Sequence, residues 1–181
     1  MEFRLQAAIY QRKKNMNIRP ETENDASAIE AVTVAAFRDH PHSDQTEHFI
    51  IRELRRAGAL TVSLVATIDE AVVGHVAVSP VTVSDGSAGW FGLGPISVEP
   101  ARQRKGIGSA LMNAALGELK RRGAAGCVLV GNPDYYFRFG FRNVGSLRFP
   151  DFPAEYFQAV SFTGSFPDGE VTFHPAFSVT E

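Results

Sequence analysis

A short stretch at the centre of the chain has the residue types and spacing of an anion site. Gln103, Arg104, Lys105, Gly106, Ile107 and Gly108 fit the pattern Q/R-x-x-G-x-G/A, after an apolar run and before a helical one. Gly106 and Gly108 carry no side chain to hold a phosphate away from the main chain. Consecutive N–H groups at a helix start, Ser109 included, form a concavity for an anion, and the helix dipole adds partial positive charge there. Arg102, Arg104 and Lys105 add full charges. Such a site suits a diphosphate; the plainer reading is a sharp corner with solvated charges. The turn is not a P-loop, since no G-x-x-x-x-G-K-[ST] occurs. Nor is it a dinucleotide fingerprint, since its third glycine is displaced and no βαβ repeat surrounds it.

A second group of residues follows at Gly131–Phe141. Asn132 precedes an aromatic run in which Tyr136 stands four residues before Gly140. A phenol there can give a proton to a leaving group, or it can simply pack beside Tyr135, Phe137, Phe139 and Phe141. Among the histidines, His40, His42 and His48 lie close together in sequence. A divalent-ion site is conceivable, but Pro41 and a polar surround favour a solvated loop, so no metal is expected. His75 sits in a strand pattern and reads as a half-buried, hydrogen-bonded residue. Cys127 lies in an apolar run with no adjacent base and reads as core. Glu47 opens a helix, where the dipole alone explains a carboxylate; a base is the weaker reading.

These residues need elements to hold them. Met16–Arg19 reads as a strand stopped by Pro20. Thr22 or Asn24 caps a helix whose apolar face includes Ile29, Val32, Val34, Ala36 and Phe37. Arg38–Gln45 is a loop, and Thr46–Ala57 is a second helix ended by Gly58. Leu60–Ile68 and Ala71–Val83 form an antiparallel hairpin through Asp69-Glu70. Trp90–Val98 is the next strand, Gly106–Arg122 the long amphipathic helix and Ala125–Val130 a buried strand. Tyr135–Phe139 is a helix of one or two turns. Gly169–Phe173 is strand-like, after an aromatic segment, Leu147–Thr163, for which core is the default. The order β-αα-βββ-α-β-α-β describes a mixed α/β layer fold.

The totals bound the function. The chain has 181 residues, 44% hydrophobic and 21% charged, with net charge −2. That suits one soluble domain, residues 16–181, with a sizeable core. Met1–Asn15, with Arg4, Arg12, Lys13 and Lys14 against Glu2, reads as an extension not needed for folding; a targeting segment is the alternative. No global field attracts nucleic acid or an anionic membrane, so an anion site must be local. No apolar run approaches the roughly 20 residues of a membrane span. One cysteine excludes an intrachain disulfide and fits a reducing cytoplasm.

Two blocks together resemble the GNAT superfamily of N-acetyltransferases. Leu93–Met112 is similar to its acetyl-CoA site, and Gly131–Phe141 to its Asn…Tyr-x-x-x-Gly-Phe signature. The wording of the blocks, with His174-Pro-Ala-Phe near the end, is similar to a bacterial subgroup of predicted N-acetyltransferases. The resemblance covers about residues 16–177. It implies a mostly antiparallel central sheet of about 6–7 strands flanked by helices, with acetyl-CoA as cosubstrate. It implies main-chain contacts from Ile96, Ser97 and Val98 to the pantetheine arm, and from Gln103, Arg104, Lys105, Gly106, Ile107, Gly108 and Ser109 to the diphosphate. It implies a contact from Asn132, the Val98 amide as oxyanion donor and Tyr136 as general acid. The partner is then a small-molecule or protein amine, and a homodimer is compatible with the superfamily. Some relatives place a glutamate on the fourth strand; that position is Gly92 here. A non-catalytic acyl-CoA-binding module on the same scaffold, and an unrelated phosphate- or nucleotide-binding protein, stay open at this point.

Overall fold

The computed structural model describes residues 16–180. Strand β1 (Met16–Pro20) leads through a 3-10 turn, Glu23–Asp25, into α1 (Ala26–Phe37), and α2 (Glu47–Arg56) follows. Then come β2 (Val62–Ile68), β3 (Ala71–Pro80), β4 (Thr82–Val83) and β5 (Trp90–Val98). Helix α3 (Ile107–Arg121), β6 (Gly126–Val130) and the short α4 (Pro133–Tyr136) come next, and α4 continues as a 3-10 turn, Phe137–Phe139. The last elements are β7 (Leu147–Arg148), β8 (Phe157–Ser161), β9 (Gly169–Thr172) and a 3-10 turn, Pro175–Ser178. The main sheet has the order β1-β2-β3-β5-β6-β8, antiparallel except for β5 against β6. A smaller sheet, β4-β9-β7, stands beside it. This is the mixed α/β, mostly antiparallel architecture expected.

Side-chain alternation sets the two faces of the main sheet. On one face, Val76 and Val78 of β3 share a cluster with Ile107, Leu111, Met112, Ala115 and Leu119 of α3. Ile107, Leu111, Ala115 and Leu119 recur at four-residue spacing with Met112 beside them, which gives α3 one continuous apolar stripe. A Cβ at Gly74 would touch Leu111 and Ile107, so this glycine lets the helix lie close to the sheet. On the other face, Ala77 and Val65 meet Ile29 of α1 and Ile51 of α2. Ile50 and Leu54 of α2 pack on Ala176 of the last 3-10 turn. Truncating Leu111, fully buried, to alanine costs about 2–5 kcal/mol by the general behaviour of such cavities.

The structure corrects the sequence reading at several points. Ala71–Val83 is not one strand: β3 stops at Pro80, which has no N–H for a ladder, and Thr82–Val83 pairs with β9 in the smaller sheet. Val34 is 37% exposed, off the apolar face assigned to α1. His75 is fully rather than half buried. The aromatic segment holds β8, a strand not read from the sequence, which pairs with β6. Phe157 there is buried, as core predicts, whereas Phe152 and Tyr156 are exposed. The expected extension, Met1–Asn15, lies outside the described residues.

A polar network ties the first strands to α2. Arg55 Nε and Nη2 donate to the two Glu21 carboxylate oxygens at 2.8 and 3.0 Å. Ser63 Oγ donates to Glu21 Oε2 at 2.6 Å, and His75 Nε2 lies 2.7 Å from Ser63 Oγ. The hydroxyl proton is already given to Glu21, so His75 donates from Nε2, leaving its buried Nδ1 without a partner. Burial pushes His75 below its ordinary pKa, against the opposing pull of Glu21. Burial alone would raise Glu21; the bonds from His75, Arg55 and Ser63 outweigh it and hold the carboxyl well below the usual carboxylate range.

Candidate active site

Between β5 and β6 the main sheet comes apart. Their parallel pairing runs only from Trp90↔Gly126 to Gly92↔Val128. Beyond Gly92, β5 continues to Val98 with no partner on that side among the described residues. Pro95, midway along this stretch, has no N–H to offer a neighbouring strand. The β3–β5 register also shifts here, between Val76↔Ile96 and Val78↔Leu93. The result is a cleft with one edge of β5 as its wall.

The pairing pattern shows which β5 groups face that cleft. The Glu99 amide donates to the Val73 carbonyl at 2.9 Å. In an antiparallel ladder, hydrogen-bonded and non-hydrogen-bonded pairs alternate. Ser97, opposite His75, therefore turns its main chain to β3, whereas Ile96 and Val98 turn theirs into the cleft. The Val98 carbonyl accepts a bond from Gln103 Nε2 at 3.1 Å, as an outward-facing group can. Ser97 is thus removed from the expected pantetheine contacts. Its side chain is buried against Thr33 Oγ1, 3.2 Å away.

At the end of β5 the glycine turn opens toward solvent. Arg104 and Gly106 both take left-handed backbone angles, φ +58° and +86°. Such kinks turn successive N–H groups to one side. None of the amides of Arg104 through Ser109 makes a hydrogen bond of ordinary length and angle among the described residues; the first helical bond that reaches back to the turn is Ala110 N–H to Gly106 O, 3.0 Å. Gln103 differs, because its amide reaches Pro100 O at 3.3 Å. The two glycines have different surroundings. Nothing lies within 4 Å of where a Gly106 Cβ would be, so the space above it is open. A Gly108 Cβ would stand 3.0 Å from the Tyr135 hydroxyl and 3.8 Å from Val98 Cγ2. Gly108 therefore leaves room for a phenol, a role its motif position did not reveal.

Helix α4 forms a hook beside this turn. Asn132 caps it, its Oδ1 accepting from the Asp134 amide at 3.0 Å, with Pro133 at the first helical position. The side chain predicted to touch the coenzyme is thus already half committed to folding, with Nδ2 as its remaining donor. The Tyr136 ring packs edge-on to Phe141 and Tyr135, with centroids 6.2 and 4.9 Å away. It fills the place a Gly131 side chain would take. Burial, with the neighbouring Tyr135 phenol, pushes Tyr136 up to about 12. It is therefore a loaded proton donor across the neutral range.

The other candidates are resolved by their surroundings. Gly92 cannot exchange for a carboxylate in place, since a Cβ there would stand 2.6 Å from the Phe173 ring. Glu47 is partly buried at the start of α2, and its Oε2 is enclosed with no hydrogen-bond partner. The dipole reading does not account for that enclosed oxygen. His40 and His42 are exposed, and among the described residues no group of His, Cys, Asp and Glu is arranged to hold a metal. Cys127 is fully buried and its thiol is pushed up by desolvation, so it is core. No described helix is long and apolar enough to cross a membrane.

Comparison with known proteins agrees with this geometry. A curated relative, an uncharacterized N-acetyltransferase YhbS of Escherichia coli K12, is 37% identical over 127 residues, 70% of this chain and 73% of the relative. A GNAT family acetyltransferase of Brucella melitensis, solved in complex with acetyl-CoA, is 47% identical with a TM-score of 0.81, covering 90% of this chain and 98% of that one. YhbS of Escherichia coli, solved with CoA, has 32% identity and a TM-score of 0.79, over 92% and 94% of the two chains. Residues 26–141 match the acetyltransferase (GNAT) family, and this chain, with its parted sheet, glycine turn and tyrosine hook, belongs to that family.

Proposed function

We propose that the chain transfers the acetyl group of acetyl-CoA to a primary amine by direct attack within a ternary complex. One observation carries this reading. The unpaired amides of Arg104 through Ser109 open beside a cleft whose wall, β5, presents the main chain of Ile96 and Val98. A diphosphate fits the first feature, and a strand-like pantetheine arm fits the second. The relatives of known structure hold acetyl-CoA or CoA, which supports the same ligand here.

The chemistry asks little more of the protein. A neutral amine attacks the thioester carbonyl; Val98, expected as the oxyanion donor, lies against the glycine turn, so we assign the oxyanion to the next outward-facing β5 amide away from that turn, Ile96. The attacking nitrogen gives up a proton to solvent water, the carbon–sulfur bond breaks, and Tyr136 gives its proton to the departing sulfur and is reprotonated from solvent. Proton transfer from a phenol near 12 is helped where the same burial raises the thiol. For the acceptor end we assign Glu47, whose orphaned oxygen is suited to take an ammonium N–H. A reducing cytoplasm is the compartment that suits the cosubstrate and the lone Cys127.

Two experiments test the reading. Acetyl-CoA, but not ATP or NAD, should raise the melting temperature. A screen of primary amines should then find free thiol release that depends on both substrates. A shift with acetyl-CoA and no thiol release from any amine favours the non-catalytic acyl-CoA-binding module instead.

A further inference from the structure

Tyr135 is a polar side chain beside the anion turn that neither the motif nor the mechanism uses. Its hydroxyl reaches across from the hook to α3, 3.0 Å from the place of a Gly108 Cβ. The same place is 3.8 Å from Val98 Cγ2, so the phenol stands where the glycine turn meets the end of β5. No hydrogen bond engages the hydroxyl among the described residues. The ring itself is fixed on several sides. Tyr136 and Phe139 meet it edge-on at 4.9 and 5.5 Å, and the Arg138 guanidinium lies 4.7 Å over its centroid. Arg138 Nε also donates to the Tyr135 carbonyl at 2.9 Å. A rigidly held donor with no partner, beside a row of amides with no partner, is what an anion site requires.

We infer that the Tyr135 hydroxyl donates to the coenzyme's diphosphate from the hook side, beside the α3 amides. This rests on the acetyl-CoA reading above and adds a side-chain contact to it. It also divides the labour of the two tyrosines. Tyr135 holds the phosphate end of the coenzyme, and Tyr136 serves the sulfur.

The test compares CoA with pantetheine, which shares the arm and lacks the phosphates. Dissociation constants are measured by calorimetry for CoA and by NMR titration for pantetheine. Loss of a hydrogen bond to a charged group predicts roughly tenfold weaker CoA binding by Tyr135→Phe, with pantetheine unchanged within about twofold. Gly108→Ala supplies a second variant, because its methyl group displaces the hydroxyl. It should weaken CoA binding in the unaltered background and cost much less in the Tyr135→Phe background. Melting temperatures of all variants confirm that they are folded. Unchanged CoA affinity in Tyr135→Phe, an equal loss for both ligands, or a Gly108→Ala penalty indifferent to the hydroxyl each overturns the inference. Failure of the unaltered protein to bind CoA is a different result and removes the coenzyme reading itself.

Discussion

Two polar regions of this molecule use similar groups and are completed to different degrees. In the network of Glu21, Arg55, Ser63 and His75, the side chains bond to one another, and of its buried polar atoms among the described residues His75 Nδ1 is left without a partner. At the start of α3, six consecutive amides, Arg104 through Ser109, make no well-formed hydrogen bond among the described residues. The first arrangement joins β1, β2 and β3 to α2 and is finished by folding. The second is accessible and is finished only by a ligand. Polar density alone does not mark a site; unspent donors on an accessible, rigid frame do.

The comparison predicts opposite consequences for mutation. The largest effect expected is on catalysis. Tyr136→Phe should lower acetyl transfer by about 100-fold or more, the scale of a lost general acid. CoA affinity should change little, read as kcat against the calorimetric dissociation constant once an acceptor is found. Next is Arg55→Leu, which removes the cation and two hydrogen bonds from the half-buried Glu21 carboxylate and leaves the bond from Ser63. It should destabilise the fold by about 1–2 kcal/mol in urea denaturation, less than a fully buried pair because Arg55 is partly exposed, with CoA affinity of the folded protein within about twofold. A binding loss as large as the stability loss would erase the distinction between the two regions.

Acidification should act on the network before the turn. The folded pKa of His75 is depressed, so its contribution is present above the unfolded value of about 6.5 and is lost as pH falls below it. Glu21 is depressed too, and its contribution is lost as pH falls below about 4. Asp25 behaves alike: Arg19 lowers it first, burial opposes, and bonds from Thr22 add to the lowering. Urea midpoints should therefore decline from pH 7 to pH 5 and faster below pH 4. A His75→Gln variant should flatten the first part of the decline. The smallest effect concerns the exposed cations. Arg104→Ala should weaken CoA binding only a few-fold and reduce its salt dependence, since exposed charges are well screened.

Legibility from sequence followed locality. Trp90–Val98 lies between Gly89 and Pro100 and the long helix between Gly106 and Gly123, and both carry strong patterns, so their limits are readable within a residue. The turn and the tyrosine hook were readable because short motifs encode them. Strand β8 was not, because Phe157–Ser161 becomes a strand only by pairing with β6, far back in the chain. The resemblance implies a run of contacts through Ser97, whereas a strand turns the main chain of alternate residues to opposite partners. The role of Gly108 was hidden for a similar reason: the phenol that fills its place comes from another element.

The central claim is that main-chain amides at the start of α3 grip the coenzyme's diphosphate. An amide-resolved NMR titration with CoA tests it most directly. The account predicts saturable shifts concentrated at Arg104 through Ser109, with Ile96 and Val98 moving alongside and the amides of Glu21, Ser63 and His75 still. Saturation with those turn amides unmoved, or no saturation at all, would contradict it.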